Sequence, residues 1–264
     1  MTDEAKIGVL VTVAYDGTNF HGWARQEAVR TVEATLTGAV RSIDGTVDEV
    51  RGSSRTDSGV HALGQLVAFD TSKTAIPLKG WVLGLNQTLP DDVAVRSARH
   101  VPVGFVPRFA AKGKRYRYRL HTEPVRSPLV RDRAWHVPRS LDRQRMEREA
   151  AAVVGTHDFA AFRSASDERT MTVRTITRVV VETDPETGGL AVVVEGTGFM
   201  HNMVRILVGT LVDVGTGRKS EGTIAKALAS KERGDAGITA PAHGLVLDEV
   251  HVELPPGTDD RWPP

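Results

Sequence analysis

Alternating apolar and polar residues over Ile7–Tyr15 predict the first strand of the chain. Val9, Val11 and Val13 fall on one face at the period of two that a half-buried strand shows. The alternation stops at Asp16-Gly17-Thr18, a group of turn-forming residues. The chain therefore is expected to begin with a strand whose one face is buried.

The next apolar residues recur at helical spacing. Val32, Leu36, Val40 and Ile43 predict a helix over residues 31–43. The same two periods predict the remaining elements: strands near 47–52, 65–69, 93–98, 114–120, 176–182, 190–196 and 245–252, and helices near 78–85, 141–154 and 203–214.

The order of these elements is a strand-helix-strand-strand-helix-strand unit that occurs twice, which is a split βαβ pattern. It predicts an α+β protein with two related halves. We place an N-terminal half at residues 1–105 and a C-terminal half at 106–254, because prolines and glycine at 102–107 interrupt regular structure. Residues 255–264, rich in proline, are expected to be a disordered tail.

Composition narrows the class of protein. The 264 residues include no cysteine, which excludes disulfides and thiolate sites and fits a reducing cytoplasm. The start, Met1-Thr2-Asp3-Glu4, lacks the features of a secretory signal, and no apolar run has the length that a bilayer requires. We expect a cytoplasmic protein without membrane segments.

Charge is unevenly distributed although the formal net charge is only +1. Between Arg99 and Arg148 there are fourteen basic residues and four acidic ones, so this segment carries a net charge of +10. Such segregation is typical of a surface that binds phosphates.

The segment from Ser53 to Ala62 combines hydroxyls, a glycine and one carboxylate, Asp57, close to Arg55. Residues of these types favour tight connections, so Asp57 is expected on a turn, where Arg55 favours its ionised form. A charged aspartate on a stiff loop can act as a nucleophile or general base. Two other interpretations stay open here: a simple turn cap, or one half of an aspartic-protease pair completed by a second copy of the chain.

Aromatic and basic residues alternate in the strand predicted at 114–120. Tyr116 and Tyr118 would lie on one face and arginines on the other, so bases could stack on the rings while the cations hold phosphates. The alternative is an edge strand whose charges prevent aggregation.

The helix predicted at 203–214 is apolar except for Arg205. A buried guanidinium needs an acidic partner, such as Asp57, or else the side chain reaches the surface.

Signatures of common cofactors are missing from the sequence. There is no phosphate-binding G-x-x-x-x-G-K-[ST] motif and no dinucleotide-binding G-x-G-x-x-G motif, and the nine histidines lack the spacing of metal ligands. His61 is expected to cap or pack rather than to act on substrate. The sequence predicts no cofactor and no metal.

Several motifs together closely resemble the tRNA pseudouridine synthase A family. They occur in the family's order and cover nearly all of residues 7–252: Arg55-Thr56-Asp57-Ser58-Gly59-Val60-His61, Tyr15-Asp16-Gly17-Thr18 with Gly22-Trp23, Lys114-Arg115-Tyr116-Arg117-Tyr118, Met203-Val204-Arg205 and Ala240-Pro241-Ala242-His243-Gly244-Leu245. One departure is Ser54, where many relatives have glycine.

The resemblance implies an isomerase that converts uridine to pseudouridine at positions 38, 39 and 40 of the tRNA anticodon stem-loop, without a cofactor. It implies that Asp57 is the catalytic residue and that Tyr116 stacks on the extruded uracil. Arg205 would pair with Asp57, Arg55 would hold the nucleotide and Leu245 would line the base pocket. The family fold joins the antiparallel sheets of two halves around a central cleft, and the active form is a homodimer.

The sequence leaves the chemical role of Asp57 open. Its carboxylate could attack C1′, add to the uracil ring or remove a sugar proton. A different class of function, a non-catalytic RNA-binding module, also fits split βαβ domains, although the aromatic-glycine motif typical of such modules is absent.

Overall fold

The computed structural model describes residues 6–164, 167, 170–258 and 260–263. These residues form strands β1 Ile7–Tyr15, β2 Arg51–Gly52, β3 His61–Thr71, β4 Val93–Val101, β5 Ala111–His121, β6 Trp135–His136, β7 Gly155–Asp158, β8 Val173–Thr183, β9 Leu190–Gly196, β10 Leu245–Val252 and β11 Arg261–Trp262. The α-helices are α1 Val32–Ile43, α2 Leu78–Thr88, α3 Pro107–Ala110, α4 Arg143–Ala151, α5 Met203–Gly215 and α6 Thr223–Ser230. The predicted α+β class is confirmed.

The chain divides into two compact units. The first comprises residues 1–112 and 247–264, and the second comprises residues 113–246. The predicted boundary at 105/106 precedes this division by a few residues, and the last strand, which we assigned to the C-terminal half, belongs to the first unit from Leu247 onward. The first unit is therefore built from two separate stretches of the chain.

In the first unit the strands lie in the order β11-β4-β1-β3-β10, with β2 also beside β3. β1 pairs antiparallel with both β3 and β4. Val9, Val11 and Val13 are fully buried, as the alternation predicts, and Leu10 on the other face is buried as well. A strand with neighbours on both sides is covered more completely than one at an edge, which explains the additional burial.

In the second unit the strands lie in the order β5-β9-β8-β7, all antiparallel, and β6 pairs parallel with β5. Helix α5 is the apolar helix predicted at 203–214. Every one of its residues is buried except Arg205. The prediction of a deeply buried helix with one exceptional arginine is confirmed.

Two local predictions differ from the structure. The strand expected near 47–52 is only β2, because Val47 and Thr46 are tied to Asp44 in a turn. The tail expected to be disordered contains β11, in which Arg261 and Trp262 pair with Arg99 and Ala98. Asp259 and Pro264 of that tail, and the acidic start at residues 1–4, lie outside the described residues.

Of the described helices, none combines the length and hydrophobicity of a membrane-spanning segment.

Candidate functional site

Asp57 lies in a tight turn between β2 and β3, as predicted. The Val60 amide donates a hydrogen bond to the Asp57 carbonyl over 3.1 Å, and Gly59 has a φ of +77°, a conformation that favours glycine. The Asp57 side chain is half-buried, and its neighbours in the chain are the buried Thr56 and the exposed Ser58. The turn therefore presents the carboxylate without exposing it fully to water.

One side of this turn is held by the segment that follows β1. The Tyr15 hydroxyl is 2.7 Å from the Thr56 hydroxyl, in a buried hydrogen bond. The Gly17 amide donates to Nδ1 of the buried His61 over 3.0 Å, so His61 fixes the turn, as its expected packing role implies. A β-carbon at Gly17 would lie 2.1 Å from the Val60 carbonyl oxygen, which only glycine avoids. The motif Tyr15-Asp16-Gly17 thus positions the aspartate loop.

The other side is held by residues 20–23. The Phe20 carbonyl accepts from the Gly59 amide at 3.3 Å and from the Ser58 hydroxyl at 3.2 Å. The Trp23 amide donates to the Thr56 carbonyl at 3.0 Å. Gly22 has a φ of +90°, and a β-carbon there would lie 2.8 Å from the Thr56 carbonyl oxygen. Backbone contacts from two segments therefore fix the turn.

A buried side-chain amide holds the start of the loop. Gln65 Oε1 accepts from the Ser53 hydroxyl at 2.8 Å and from the Ser54 amide at 3.2 Å, and its Nε2 donates to the Ser54 carbonyl at 2.6 Å. Gln65 is fully buried. It thus ties the backbone of Ser54 to strand β3 at the start of the aspartate loop.

Arg55 is exposed and, within the described part of the chain, makes no hydrogen bond or ion pair. Arg55 forms no ion pair with Asp57 in the structure. No direct contact therefore supports the expectation that Arg55 favours the ionised form of Asp57. Its guanidinium is available to an anionic ligand.

In the second unit, β5 shows the predicted alternation. Tyr116 is 7% exposed and its ring meets that of Phe199 edge-on, with centroids 5.1 Å apart. Tyr118 is fully buried, and its hydroxyl donates to the Pro241 carbonyl over 2.7 Å. Burial raises the pKa of the Tyr118 phenol above its ordinary value, and the nearby charge of Arg205 opposes this shift only in part. Tyr118 therefore stays a neutral donor.

The arginine face of β5 differs from our expectation. Arg115 pairs with Glu195 at 3.1 Å, Arg117 with Glu182 at 2.7 Å, and Arg119 with Glu186 at 2.6 Å. The acidic residues come from β8, β9 and the turn that joins them. Each of these arginines has an acidic partner within the protein, and the prediction that this face holds RNA phosphates stays a prediction.

Arg205 is held by its neighbours on α5 and by the segment before β10. Its Nε donates to the Ala240 carbonyl at 2.8 Å, and its Nη1 donates to the Asn202 side-chain oxygen at 2.6 Å. Asn202 begins the helix with a φ of +60°. The half-buried guanidinium thus has a fixed direction rather than a free path to the surface.

Leu245 begins β10 directly after a short 3-10 turn and is 5% exposed. A β-carbon at the preceding Gly244 would lie 2.6 Å from the Tyr118 ring, so this glycine lets the segment pack against the ring. Residues 240–245 therefore connect Arg205 and Tyr118 through two backbone carbonyls.

The predicted site residues are distributed over both units. Arg55 and Asp57 belong to the first unit, and Tyr116, Arg205 and Leu245 belong to the second. Within the second unit the structure brings Arg205 together with Tyr118 and the segment before Leu245.

Sequence reasoning missed two supporting residues. Gln65 lies in a predicted strand, where a polar glutamine indicates an exposed side chain. The structure shows instead that Gln65 is fully buried and holds the start of the aspartate loop. Phe199 follows two glycines and a threonine, and nothing in that context indicates that it packs against Tyr116.

Comparison with known proteins identifies the family of the chain. The model of the tRNA pseudouridine synthase family matches residues 11–109 and 150–253. Three similar relatives all carry the name tRNA pseudouridine synthase A. Their identities are 43% in Acetivibrio thermocellus, covering 92% of this chain and 98% of the relative; 44% in Myxococcus xanthus, covering 95% and 96%; and 43% in Geobacter sulfurreducens, covering 92% and 98%.

These matches include the segments that carry Asp57, Arg205 and Leu245, and they favour the enzyme over the turn-cap, protease and RNA-binding-module interpretations of the sequence. By family model and by relatives alike, the chain belongs to the tRNA pseudouridine synthase family.

Proposed function

We propose that this protein isomerises uridine to pseudouridine at positions 38, 39 and 40 of the tRNA anticodon stem-loop, with Asp57 as the catalytic residue. Members of its family are isomerases that form pseudouridine in tRNA. The observation that carries the assignment of Asp57 is the double clamp on its turn. Segment 15–17 holds the turn through the Tyr15 hydroxyl, the bond to His61 and the close approach of Gly17, and segment 20–23 holds it through backbone hydrogen bonds.

The reaction needs a fixed carboxylate because a carbon-nitrogen bond must break within one substrate. The C1′–N1 bond is cut, the uracil turns, C5 joins C1′, the C5 proton leaves to solvent and N1 gains a proton. Asp57 would act on C1′, on the uracil ring or on a sugar proton, and each role requires the carboxylate to be positioned before the base arrives.

The remaining residues would hold the extruded nucleotide. Tyr116 would stack on the uracil, with its ring supported edge-on by Phe199. Arg205, directed by Ala240 and Asn202, would pair with the Asp57 carboxylate during the reaction. The exposed cation of Arg55 would hold the nucleotide, and buried Leu245 would line the base pocket.

We further propose that the active form is a homodimer that binds tRNA in the cytoplasm and needs neither cofactor nor metal. The support for these proposals is the family resemblance and the nature of the substrate. Sedimentation of the protein with and without tRNA tests the dimer, and turnover in the presence of a metal chelator tests the requirement for metal.

The test of the proposed function uses an unmodified tRNA transcript labelled with tritium at uridine C5. Wild-type protein is expected to release tritium, whereas Asp57→Asn lowers the release rate by about 10⁴-fold while keeping most of the affinity for tRNA. Asp48→Asn makes the same chemical change at an exposed position and serves as the matched control. Substantial turnover by Asp57→Asn would contradict the assignment of the residue.

A transcript in which positions 38, 39 and 40 are all cytidine tests the proposed positions. Release from a label placed elsewhere in that transcript would show that the enzyme acts on other uridines. Binding without release is the expected result for this transcript. Tight binding without release from the transcript that keeps its uridines at 38, 39 and 40 would instead support a non-catalytic RNA-binding module.

A further inference from the structure

A cavity of about 290 Å³ lies in the second unit, between the end of β5, β6 and the loop that joins them. His121, Trp135, His136 and His243 line it together with Arg126 and the apolar residues of the loop. Its volume is near the lower limit for sites that take small organic ligands. The cavity therefore has room for one nucleotide base rather than for a larger group.

Two stacked histidines define the polar character of the cavity. The rings of His121 and His136 have centroids 5.2 Å apart at an angle of 36°. Nε2 of His121 lies 3.1 Å from the Val125 carbonyl, and Nε2 of His136 lies 2.8 Å from the Glu123 carbonyl. A carbonyl oxygen only accepts, so each Nε2 carries a proton, and in the neutral form of such a ring Nδ1 is an acceptor.

Nδ1 of His121 lacks a partner. The side chain is 6% exposed, and this nitrogen has no hydrogen-bond partner in the part of the chain that the structure describes. A buried acceptor without a donor destabilises the folded protein, and a ligand that donates to it removes that cost. The ligand must carry an N–H or O–H group, which nucleobases and the ribose 2′-hydroxyl have and an ionised phosphate lacks.

The entrance of the cavity is basic. Among the described residues that line it, none is acidic. Arg126 is exposed and has no ion pair or hydrogen bond with another described residue, whereas Arg131 pairs with Asp132 at 3.0 Å. Trp135 is half-buried beside Tyr118 and offers an aromatic ring to the cavity. A ring to stack on and a free cation are the two elements that bind unpaired RNA.

This cavity is separate from the place of the target uracil. Tyr116 and His121 lie on the same strand, five residues apart, so their Cα atoms are separated by about 17 Å at the rise of a β-strand. One nucleotide cannot contact both residues. A nucleotide bound in the cavity is therefore a different one from the nucleotide whose base stacks on Tyr116.

We propose that the cavity beside His121 binds a second unpaired nucleotide of the tRNA, with its base against Trp135, a base or ribose donor on His121 Nδ1 and its phosphate at Arg126. This inference rests on the proposed function for the identity of the RNA. It assigns to the loop between β5 and β6 the task of holding the substrate strand beyond the uridine that reacts.

A double-mutant cycle between protein and RNA tests the proposal. Transcripts carry one abasic nucleotide at each unpaired position of the anticodon loop in turn, and the dissociation constant of each is measured with wild type and with Trp135→Leu. At one position other than the target uridine, removal of the base is expected to weaken binding to the wild-type protein by about 5- to 100-fold. The same abasic transcript should bind Trp135→Leu less than about twofold more weakly than the intact transcript does. Additive effects at every position would overturn the proposal.

A second variant keeps the test independent of packing around Trp135. Arg126→Glu changes an exposed side chain and is expected to raise the dissociation constant of tRNA. The slope of log affinity against log salt concentration should become shallower by about 1, the value for the loss of one phosphate contact. Arg139→Glu makes the same charge change at an exposed residue that does not line the cavity. Equal effects of the two substitutions would overturn the placement of the phosphate.

Tritium release by the wild-type protein, measured on the same transcripts, separates the two proposals. Release without coupling at any position refutes the second nucleotide site and leaves the proposed function intact. Coupling without release supports the site and refutes the function.

Discussion

The two units hold their candidate residues in different ways. In the first unit, Asp57 stands on a turn that is fixed by backbone hydrogen bonds and by glycines pressed against carbonyl groups. In the second unit, Tyr116 and Arg205 project from a strand and a helix, and side-chain contacts with Phe199, Asn202 and the Ala240 carbonyl direct them.

The difference indicates where each part of the site is vulnerable. A loop that is fixed by close backbone contacts is sensitive to a β-carbon added at one of those contacts, even if the substituted residue does not touch the substrate. A side chain that is directed by hydrogen bonds is sensitive to a change in its own shape, while its element keeps its position.

Among the substitutions that test this difference between the units, the largest effect is expected from an added methyl group beside the aspartate loop. Gly17→Ala places a β-carbon 2.1 Å from the Val60 carbonyl oxygen, so the turn must shift. Because a displacement of about 1 Å can lower a rate by about 100-fold, we expect a loss of that order in kcat, measured by tritium release. Gly38→Ala in α1, where nothing lies within 4 Å, is the control and is expected to keep full activity. Normal turnover by Gly17→Ala would show that the loop is not held as described.

A smaller effect is expected from a change of shape in the second unit. Arg205→Lys keeps the charge but cannot donate to both Ala240 and Asn202 in the same geometry. We expect kcat/KM to fall by roughly tenfold, since a hydrogen bond to a charged group is worth about 1.5 to 3 kcal/mol. The melting temperature should change little. A large loss of thermal stability with unchanged activity would instead make Arg205 a structural residue.

Acid is expected to weaken the first unit through Asp44. Burial alone would raise its pKa, but hydrogen bonds from Thr46, Thr71 and Ser72 hold the pKa of this carboxyl well below its usual range. A depressed folded-state pKa stabilises the protein above the unfolded value near 3.9, and this stabilisation is lost as the pH falls below it. The urea midpoint of wild type should therefore fall between pH 5 and pH 3 more steeply than that of Asp44→Asn. Parallel curves would contradict this role of Asp44.

The smallest effect is expected on the arginine face of β5. Arg117 is occupied by Glu182, so Arg117→Gln should change the KM for tRNA by no more than about twofold and lower the free energy of unfolding by about 0.5 to 1 kcal/mol. A rise in KM comparable to that of Arg126→Glu would instead support the predicted phosphate-binding role of this face.

Periodicity predicted most of the fold because it reports local burial. The alternation of β1 and the apolar character of α5 follow from which residues face the core, and both elements occur where expected. The charge pattern of β5 was misleading because its acidic partners, Glu182 and Glu195, lie more than sixty residues away on strands whose register no local pattern gives. Likewise β11 depends on its pairing with β4 rather than on its own composition.

Motifs indicated individual candidate residues but not the contacts that surround them. Asp57 was identified from its turn-forming neighbours, and the structure confirms the turn. The contacts of Gly17 and Gly22 with that turn depend on the path of a separate segment, which the sequence shows only as two glycines near a strand end.

The discontinuity of the first unit has a consequence for synthesis. Residues 1–112 leave the ribosome before their partner strands β10 and β11, which follow the whole second unit in the chain. Until these strands are made, β3 lacks β10, β4 lacks β11, and both present open hydrogen-bonding edges. A stop codon in place of Leu247 would thus release a chain prone to aggregate, although every proposed catalytic and base-binding residue would have been translated.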